Sequence, residues 1–262
     1  MQRRKFIKKA GLGTLGMGFA PVAFAGSGNK KCNEKICRIA WEELCPTDGG
    51  AFEYVHPRKG IPNVLLYGDS ISIGYTPTVR EVLKNEATVF RFQRNGGSTD
   101  RLIPGLEEME RAMFQPHLKG GWDFEWDVIH FNVGLHDLKY LKGGKLDKEN
   151  GKQVSSICEY KTRLKGICDY LQAKFPDTKL IFATTTPVPE GAAGRFSGDS
   201  KKYNKAALEV LNDYPSIRIN DLYSFTKPNL NEWAIKPGNV HYNELGKTEQ
   251  GKQVGRIIAE NI

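Results

Sequence analysis

Short apolar runs that end at glycine, threonine or a charged residue recur along the chain and predict β-strands. They lie at residues 63–67, 88–93, 126–133, 179–184 and 217–219. The runs at 63–67 and 126–133 have few polar positions, which is expected of strands covered on both faces. The pattern therefore predicts a five-stranded sheet that is buried in the middle of the molecule.

Segments with helical spacing and good helix-forming residues lie between or after these runs. They are predicted at residues 78–86, 156–175, 201–211 and 244–262. Strands that alternate with helices favour a mainly parallel sheet with right-handed crossovers, in a three-layer α/β/α sandwich. Ligands bind such sheets beyond the carboxyl ends of the strands. The residues that directly follow each strand are therefore the first candidates for chemistry.

The beginning of the chain has the pattern of an export signal. Arg3 and Arg4 stand in a basic start, residues 10–20 are weakly apolar, and Ala23-Phe24-Ala25 offers a cleavage site. This order is typical of a twin-arginine-type signal peptide over residues 1–25. We expect a periplasmic or secreted protein with no membrane-spanning segment after cleavage; the alternative is a basic terminus that is never cleaved.

Residues 26–61 are rich in glycine, proline and polar residues, and predict an irregular N-terminal extension that wraps onto the domain. Residues 62–262 are then expected to form one catalytic domain, since a chain of this length can bury a single core.

Much of the net charge of +8 comes from the predicted signal peptide, residues 1–25. They hold five of the 38 basic and none of the 30 acidic residues, which leaves a net charge of +3. So slight an excess, without a basic stripe interleaved with aromatic residues, argues against nucleic acid as a partner.

Five cysteines would be exposed to oxidation in an exported protein, so disulfides are permitted. Cys158 and Cys168 lie about 15 Å apart along one predicted helix, too far to pair with each other. The spacing of Cys32, Cys37 and Cys45 differs from that of a zinc site. We therefore expect structural cysteines and no metal centre.

Four short segments near strand ends or the final helix carry chemically useful residues. Gly68-Asp69-Ser70 follows the first strand, and Asn95-Gly96-Gly97-Ser98-Thr99 follows the second. Gly134-Leu135-His136-Asp137 follows the third strand, and Gly238-Asn239-Val240-His241 precedes the last helix.

These four segments, in this order, resemble the four sequence blocks of the SGNH/GDSL hydrolases, over residues 62–262. The resemblance implies a flavodoxin-like α/β/α fold and a serine esterase that needs no cofactor. It also implies that Ser70 is the nucleophile and His241 its general base. The oxyanion would be bound by the backbone N–H of Ser70, by that of Gly97 (or alternatively Gly96), and by His136.

Two residues differ from the family pattern. His136 stands where the family has an asparagine, and a histidine ring can also donate an N–H, although His136 could instead be structural. The aspartate three residues before the catalytic histidine is missing, and an acceptor behind the base is needed to orient it. A backbone carbonyl, Asn239 or Asp221 could orient His241. We expect structural or surface roles for His56, His117 and His130.

The expected function is hydrolysis of ester bonds through an acyl-serine intermediate, first of all of O-acetyl groups on carbohydrate. Trp122, Trp126, Tyr140 and Tyr223 could stack on sugar rings or belong to the core. Residues 184–190 could line the cleft or form an ordinary exit loop. The alternatives are an acylhydrolase of lipids or small esters, and a glycan-binding protein on an impaired hydrolase fold.

Overall fold

The computed structural model describes residues 27–45, 47 and 49–262, with side chains from residue 33 onward. The predicted signal peptide and its cleavage site lie outside the described residues.

Strands of the described part of the chain form two sheets. They are β1 (Asn63–Tyr67), β2 (Thr88–Arg91), β3 (Val128–Phe131), β4 (Tyr140–Lys142), β5 (Lys145–Leu146), β6 (Lys152–Gln153), β7 (Lys179–Ala183) and β8 (Arg218–Asn220). The larger sheet has the order β2-β1-β3-β7-β8, and all of its pairs are parallel. This is the flavodoxin-like order, in which the first crossover places β2 on one side of β1 and the later strands are added on the other side, beginning with β3. The predicted five-stranded parallel sheet is confirmed.

Helices cover both faces of this sheet. They are α1 (Ser27–Leu44), α2 (Ser70–Val82), α3 (Leu102–Met113), α4 (Ile157–Lys174), α5 (Asp199–Leu211), α6 (Leu222–Thr226), α7 (Leu230–Trp233) and α8 (Glu244–Ala259). One layer contains α2 and α8, with α6 and α7 beside α8. The other contains α3, α4 and α5, and α1 packs on α3. The three-layer sandwich is confirmed, and its core lies between the sheet and these layers.

The irregular structure expected for the N-terminal extension is wrong over residues 27–44, which form α1. Cys37, Trp41 and Cys45 recur every four residues and are at most 4% exposed, so they form one buried face against the domain. The glycines and polar residues around them concealed this short apolar stripe in the sequence. Helix α1 packs on α3.

The predicted start of the first helix after β1 is wrong, because the helix begins eight residues earlier in the structure. We predicted residues 78–86, whereas α2 begins at Ser70, because the side chain of Asp69 caps its first turn and accepts a hydrogen bond from the Ile71 N–H at 2.9 Å. Gly74 and Pro77 hid the helical spacing of this segment. We also did not predict α3 or the small antiparallel sheet of β4, β5 and β6.

Helices of the described residues are all too short or too polar to cross a membrane.

Candidate active site

Ser70 lies at the carboxyl end of β1, where it begins α2 and is partly buried. Its backbone N–H has no hydrogen-bond partner among the described residues. The first N–H groups of a helix are unpaired within the helix, and they create a positive potential at its N-terminus. Ser70 therefore presents a hydroxyl and a free backbone donor at the same place.

The buried side chain of Arg91 holds this turn in place through hydrogen bonds to its backbone. Arg91, at the end of β2, is fully buried, and its Nη2 donates to the carbonyl oxygens of Gly68 (3.1 Å) and Asp69 (3.2 Å) and to Ser72 Oγ (2.8 Å). Burial lowers the pKa of Arg91 to about 10, so it stays charged at neutral pH. Arg91 thus holds the backbone that carries Ser70. We did not identify it from the sequence, because an arginine in a strand gives no local sign of burial.

His241 lies within hydrogen-bond distance of Ser70, although 171 residues separate them in the chain. The distance from His241 Nε2 to Ser70 Oγ is 2.9 Å. This is the geometry in which an imidazole can accept the serine proton. The structure brings together the two residues predicted to be nucleophile and base; their catalytic roles remain a prediction.

Asn239 orients the His241 ring. Its Oδ1 lies 2.8 Å from His241 Nδ1 and accepts the backbone N–H of His241 at 2.9 Å. Because a backbone N–H can only donate, this side-chain atom of Asn239 is the oxygen and not the amide nitrogen. His241 Nδ1 therefore carries the ring proton, and Nε2 is left to accept from Ser70.

Asp221, one of the alternatives for this role, lies elsewhere. It is exposed, caps α6 by accepting from the Ser224 N–H at 3.1 Å, and accepts from Thr184 Oγ1 at 3.0 Å. Of the alternatives that the sequence left open, the structure places Asn239 behind His241.

The backbone N–H groups of Gly97 and Gly96 both already donate hydrogen bonds within the protein. Gly97 has a φ of 69°, which favours glycine, and its N–H donates to Asn95 Oδ1 at 3.0 Å. The Gly96 N–H donates to the carbonyl of Gly68 at 2.9 Å and so joins the two loops. Only the Asn95 side chain can move without breaking a backbone contact, so Gly97 is the better placed of the two to bind an oxyanion. That role remains a prediction.

His136 lies in the loop after β3 with a defined ring proton. Lys139 Nζ lies 3.1 Å from His136 Nδ1. An ammonium can only donate, so Nδ1 is the acceptor and Nε2 carries the hydrogen. Burial, with smaller effects from Lys139, Arg195 and Arg101, lowers the pKa of His136 to about 3. His136 is therefore a neutral N–H donor at physiological pH.

Asp137 joins the loop of His136 to the loop of Gly97. It is fully buried, and its carboxylate accepts from Thr99 Oγ1 at 2.6 Å, from the Thr99 N–H at 3.1 Å and from Ser155 Oγ at 2.8 Å. Burial raises its pKa, while these donors lower it. The sequence showed Asp137 as part of a block but not this connecting role.

Two cavities flank the neighbourhood of Ser70 and His241. One of about 280 Å³ is lined by Gly97 and His136, among others. Another of about 450 Å³ is lined by Glu190, Pro237 and Gly238, beside the loop that carries His241. A third, of about 310 Å³, lies at the amino end of β3 around Trp126, at the opposite edge of the sheet. Of these three cavities, the first two lie beside the loops near Ser70 and His241.

Several other residues singled out in the sequence do not reach the site. Trp122 and Trp126 are 2% and 4% exposed and belong to the core, so they cannot stack on a sugar. Tyr140 packs against Phe196, and Tyr223 is a partly buried residue of α6.

Three histidines have structural or surface positions, as expected. His130 is fully buried and pairs with Asn220 at 3.2 Å, His56 pairs with Tyr54 at 3.1 Å, and His117 is exposed.

The loop 184–190 has a mixed role. Thr185 is held by Asn204, which accepts its N–H at 2.8 Å, whereas Pro189 and Glu190 line the larger cavity. The loop is therefore a packed exit from β7 whose end borders the cleft.

Neither disulfides nor metal-binding clusters occur among the described side chains. Cys37, Cys45, Cys158 and Cys168 are free, and no three His, Cys, Asp or Glu side chains converge in the described part of the chain.

Comparison of the sequence with known proteins finds no relative. No protein-family model matches the chain, and no curated protein is significantly similar to it.

Solved structures, in contrast, are similar over most of the chain. A lipase/acylhydrolase from Enterococcus faecalis superposes with a TM-score of 0.55 at 17% identity, over 76% of this chain and 96% of that one. An acetylxylan esterase from Geobacillus stearothermophilus gives a TM-score of 0.53 at 16% identity, over 75% and 94%. A member of the lipolytic G-D-S-L family from Veillonella parvula gives 0.54 at 14% identity, over 74% and 97%. The chain has the SGNH hydrolase fold.

Proposed function

We propose that this protein is a serine esterase that removes O-acetyl groups from carbohydrate through an acyl-Ser70 intermediate. The observation that carries the proposal is the chain of contacts from Ser70 Oγ through His241 to Asn239 Oδ1, with distances of 2.9 and 2.8 Å. A serine hydroxyl is a weak nucleophile unless an oriented base accepts its proton, and both parts of that requirement are met here.

The reaction follows from these contacts. His241 Nε2 takes the hydroxyl proton as Ser70 Oγ attacks the ester carbonyl carbon. The tetrahedral intermediate collapses, the C–O bond to the alcohol breaks, and His241 returns the proton to the departing oxygen. Water, deprotonated by His241, then attacks the acyl-serine and releases the carboxylic acid and free Ser70.

The negative charge of the tetrahedral intermediate needs donors aimed at one point. The free N–H of Ser70 and the Nε2–H of neutral His136 are proposed as two of them. The Gly97 N–H becomes the third when Asn95 exchanges it for the substrate oxygen. His136 thus takes the role that the family pattern gives to asparagine.

Support for a carbohydrate substrate is indirect. One similar fold belongs to an acetylxylan esterase, and another belongs to a lipase/acylhydrolase. The cavity beside His241 is large enough for a sugar ring and has both polar and apolar walls, with Glu190 and Lys236 next to Pro189 and Ile235. Such mixed walls suit a sugar better than an acyl chain.

A fluorophosphonate probe tests the proposal directly, because labelling requires the serine, the base and the oxyanion site together. The adduct should appear on Ser70 by mass spectrometry. Ser70→Ala and His241→Ala should abolish both the adduct and hydrolysis of para-nitrophenyl acetate, whereas Ser197→Ala, an exposed serine, should change neither. A folded protein with no adduct and no turnover of aryl acetates or acetylated glycans would contradict the esterase and favour a glycan-binding protein on an impaired hydrolase fold.

We also propose export through residues 1–25, on the strength of the paired arginines and the cleavage site. The mass of the secreted protein should correspond to a start near Gly26. Retention in the cytoplasm, unaffected by Arg3→Lys together with Arg4→Lys, would contradict export.

A further inference from the structure

Three basic side chains gather near His136 without a carboxylate partner. Lys139 donates to the His136 ring, and the charges of Lys139, Arg195 and Arg101 all act on that ring. None of the three forms an ion pair with a carboxylate among the described residues. This differs from Arg94 nearby, which is paired with Glu108.

The three side chains are unequally buried. Arg195 is only 7% exposed, and its Nε donates to the carbonyl of Leu135 at 3.0 Å, beside His136. Lys139 is partly buried, and Arg101 is exposed and passes across Gly97, where an added Cβ would lie 2.7 Å from Arg101 Cδ. The guanidinium and ammonium groups therefore approach His136 from three different loops.

Acidic groups near them offset part of this charge, but the cavity wall itself has two basic side chains, Arg101 and Lys139, against one acidic side chain, Asp100. Asp69 and Asp137 act on the cluster from the buried side, and Asp137 is held by Thr99 and Ser155. Asp100 lines the same cavity but accepts a hydrogen bond from Ser98 Oγ at 2.6 Å. Placing like charges together in a partly desolvated site is unfavourable unless an anion binds there.

A cavity between these groups offers space for such an anion. It has a volume of about 280 Å³ and is lined by Arg101, Lys139, His136 and Gly97. His136 and Gly97 are the proposed oxyanion donors, so any group bound in this cavity lies next to the reacting ester. Leu141 and Val154, from the hairpin of the small sheet, close its other side.

We propose that this cavity binds a carboxylate carried by the ester substrate, held by Arg101 and Lys139 with Arg195 behind them. The inference rests on the proposed esterase function and adds the substrate class: esters with a negative charge close to the scissile bond. The carboxylate can belong to the sugar, as in an acetylated uronate, or to the acyl group, as in a hemisuccinate.

Turnover of matched substrates separates these sources. O-acetylated oligogalacturonate is compared with O-acetylated xylooligosaccharide, and para-nitrophenyl hemisuccinate with para-nitrophenyl acetate. A higher kcat/KM for the charged member of the first pair assigns the carboxylate to the sugar, and for that of the second pair to the acyl group. In either case Arg101→Gln should lower the charged-to-neutral ratio about tenfold, the usual effect of one charge-assisted hydrogen bond.

The matched control is Arg111→Gln, which removes one positive charge from an exposed position on α3 and should leave the ratio unchanged. Added salt should reduce the ratio in the parent protein, because Arg101 is exposed and its charge is screened. The Arg101 side chain is exposed and makes neither a hydrogen bond nor an ion pair with a described residue, so folding of the variant should not be affected.

Binding measured by calorimetry keeps this inference separate from the proposed function. Deacetylated oligogalacturonate and succinate should bind more tightly than neutral xylooligosaccharide, and Arg101→Gln should weaken that binding. Anion binding in a protein that hydrolyses nothing would refute the esterase and retain the carboxylate site. Hydrolysis of neutral esters, with no preference for charged substrates in turnover or in binding, would retain the esterase and overturn the carboxylate site.

Discussion

Asn239 occupies the position behind His241 that an aspartate has in the family pattern. The role of the missing aspartate is to accept the Nδ1–H of the catalytic histidine, and an amide oxygen can also accept it. Asn239 Oδ1 is fixed for this purpose, because it also accepts the backbone N–H of His241. What the amide lacks is the negative charge that stabilises the imidazolium formed during the reaction.

Asn239→Ala should therefore lower kcat by about 10² or more, since the ring loses both its orientation and its tautomer. Asn239→Asp keeps the acceptor and adds charge, and should raise kcat by about tenfold, as charge-assisted hydrogen bonds are the stronger ones. Turnover of para-nitrophenyl acetate measures both, with unchanged thermal midpoints as the control. Equal kcat for Asn239→Ala and the parent would show that Asn239 does not orient the base.

His136 is the second residue whose chemistry can be tested alone. Its neutral ring donates from Nε2 because Lys139 occupies Nδ1. His136→Ala should lower kcat by about 10² to 10³, the usual effect of losing one oxyanion donor, with little change in KM. His136→Asn supplies an amide N–H and should retain much of the activity. If the alanine variant is as active as the parent, the histidine is structural.

At the scale of elements, α2 and α8 are held together closely enough to leave no room for a side chain. An added Cβ on Gly251 would lie 2.5 Å from Thr78 Cβ and 2.9 Å from the carbonyl oxygen of Tyr75. Gly255 approaches Val82 in the same way, at 2.7 Å. This contact fixes the helix that begins with Ser70 against the helix that follows His241.

Gly251→Ala should accordingly lower the free energy of unfolding by about 1–3 kcal/mol, the range for overpacking, although alanine is the better helix former. Gly166, within α4, has nothing within 4 Å of an added Cβ. Gly166→Ala should raise the free energy of unfolding by up to about 1 kcal/mol. Urea denaturation of both variants measures the difference; a stabilising Gly251→Ala would contradict close packing of the two helices.

At the scale of the whole molecule, a buried histidine links stability to pH. His130 lies in the centre of the sheet, where burial lowers its pKa to about 4 from 6.5. Between these two pH values the unfolded chain binds a proton that the folded protein excludes. The free energy of unfolding therefore falls as the pH decreases from 6.5 to 4, and this contribution is absent above pH 6.5.

In His130→Gln the decrease in the free energy of unfolding between pH 6.5 and pH 4 should be smaller by about 3 kcal/mol, because glutamine does not titrate. Denaturant unfolding at a series of pH values gives the two curves. His136, whose pKa is also lowered, contributes equally to both proteins, so the difference isolates His130. Parallel curves would show that the pKa of His130 does not differ between the folded and unfolded states, and would contradict the lowered value.

The regular part of the fold could be read from short stretches of sequence. Burial on both faces makes β1 and β3 largely apolar, and similar short apolar runs predicted the other three strands of the larger sheet, although β2 and β3 are shorter than expected. Where a local signal was interrupted, prediction failed. Gly74 and Pro77 concealed the start of α2, and α1 was concealed by the polar residues between Cys37, Trp41 and Cys45.

The sequence by itself determined the sheet, the strand ends at which chemistry could lie, and the pairing of Ser70 with His241 through their resemblance to known blocks. Only the tertiary structure decided that Asn239 contacts His241, that Arg91 is buried beneath the turn of Ser70, and that Arg101, Lys139 and Arg195 lie near His136. Secondary structure depends on neighbours within a few residues, which leave a periodic pattern. Contacts between loops far apart in the chain leave none, because the whole fold determines which side chains meet.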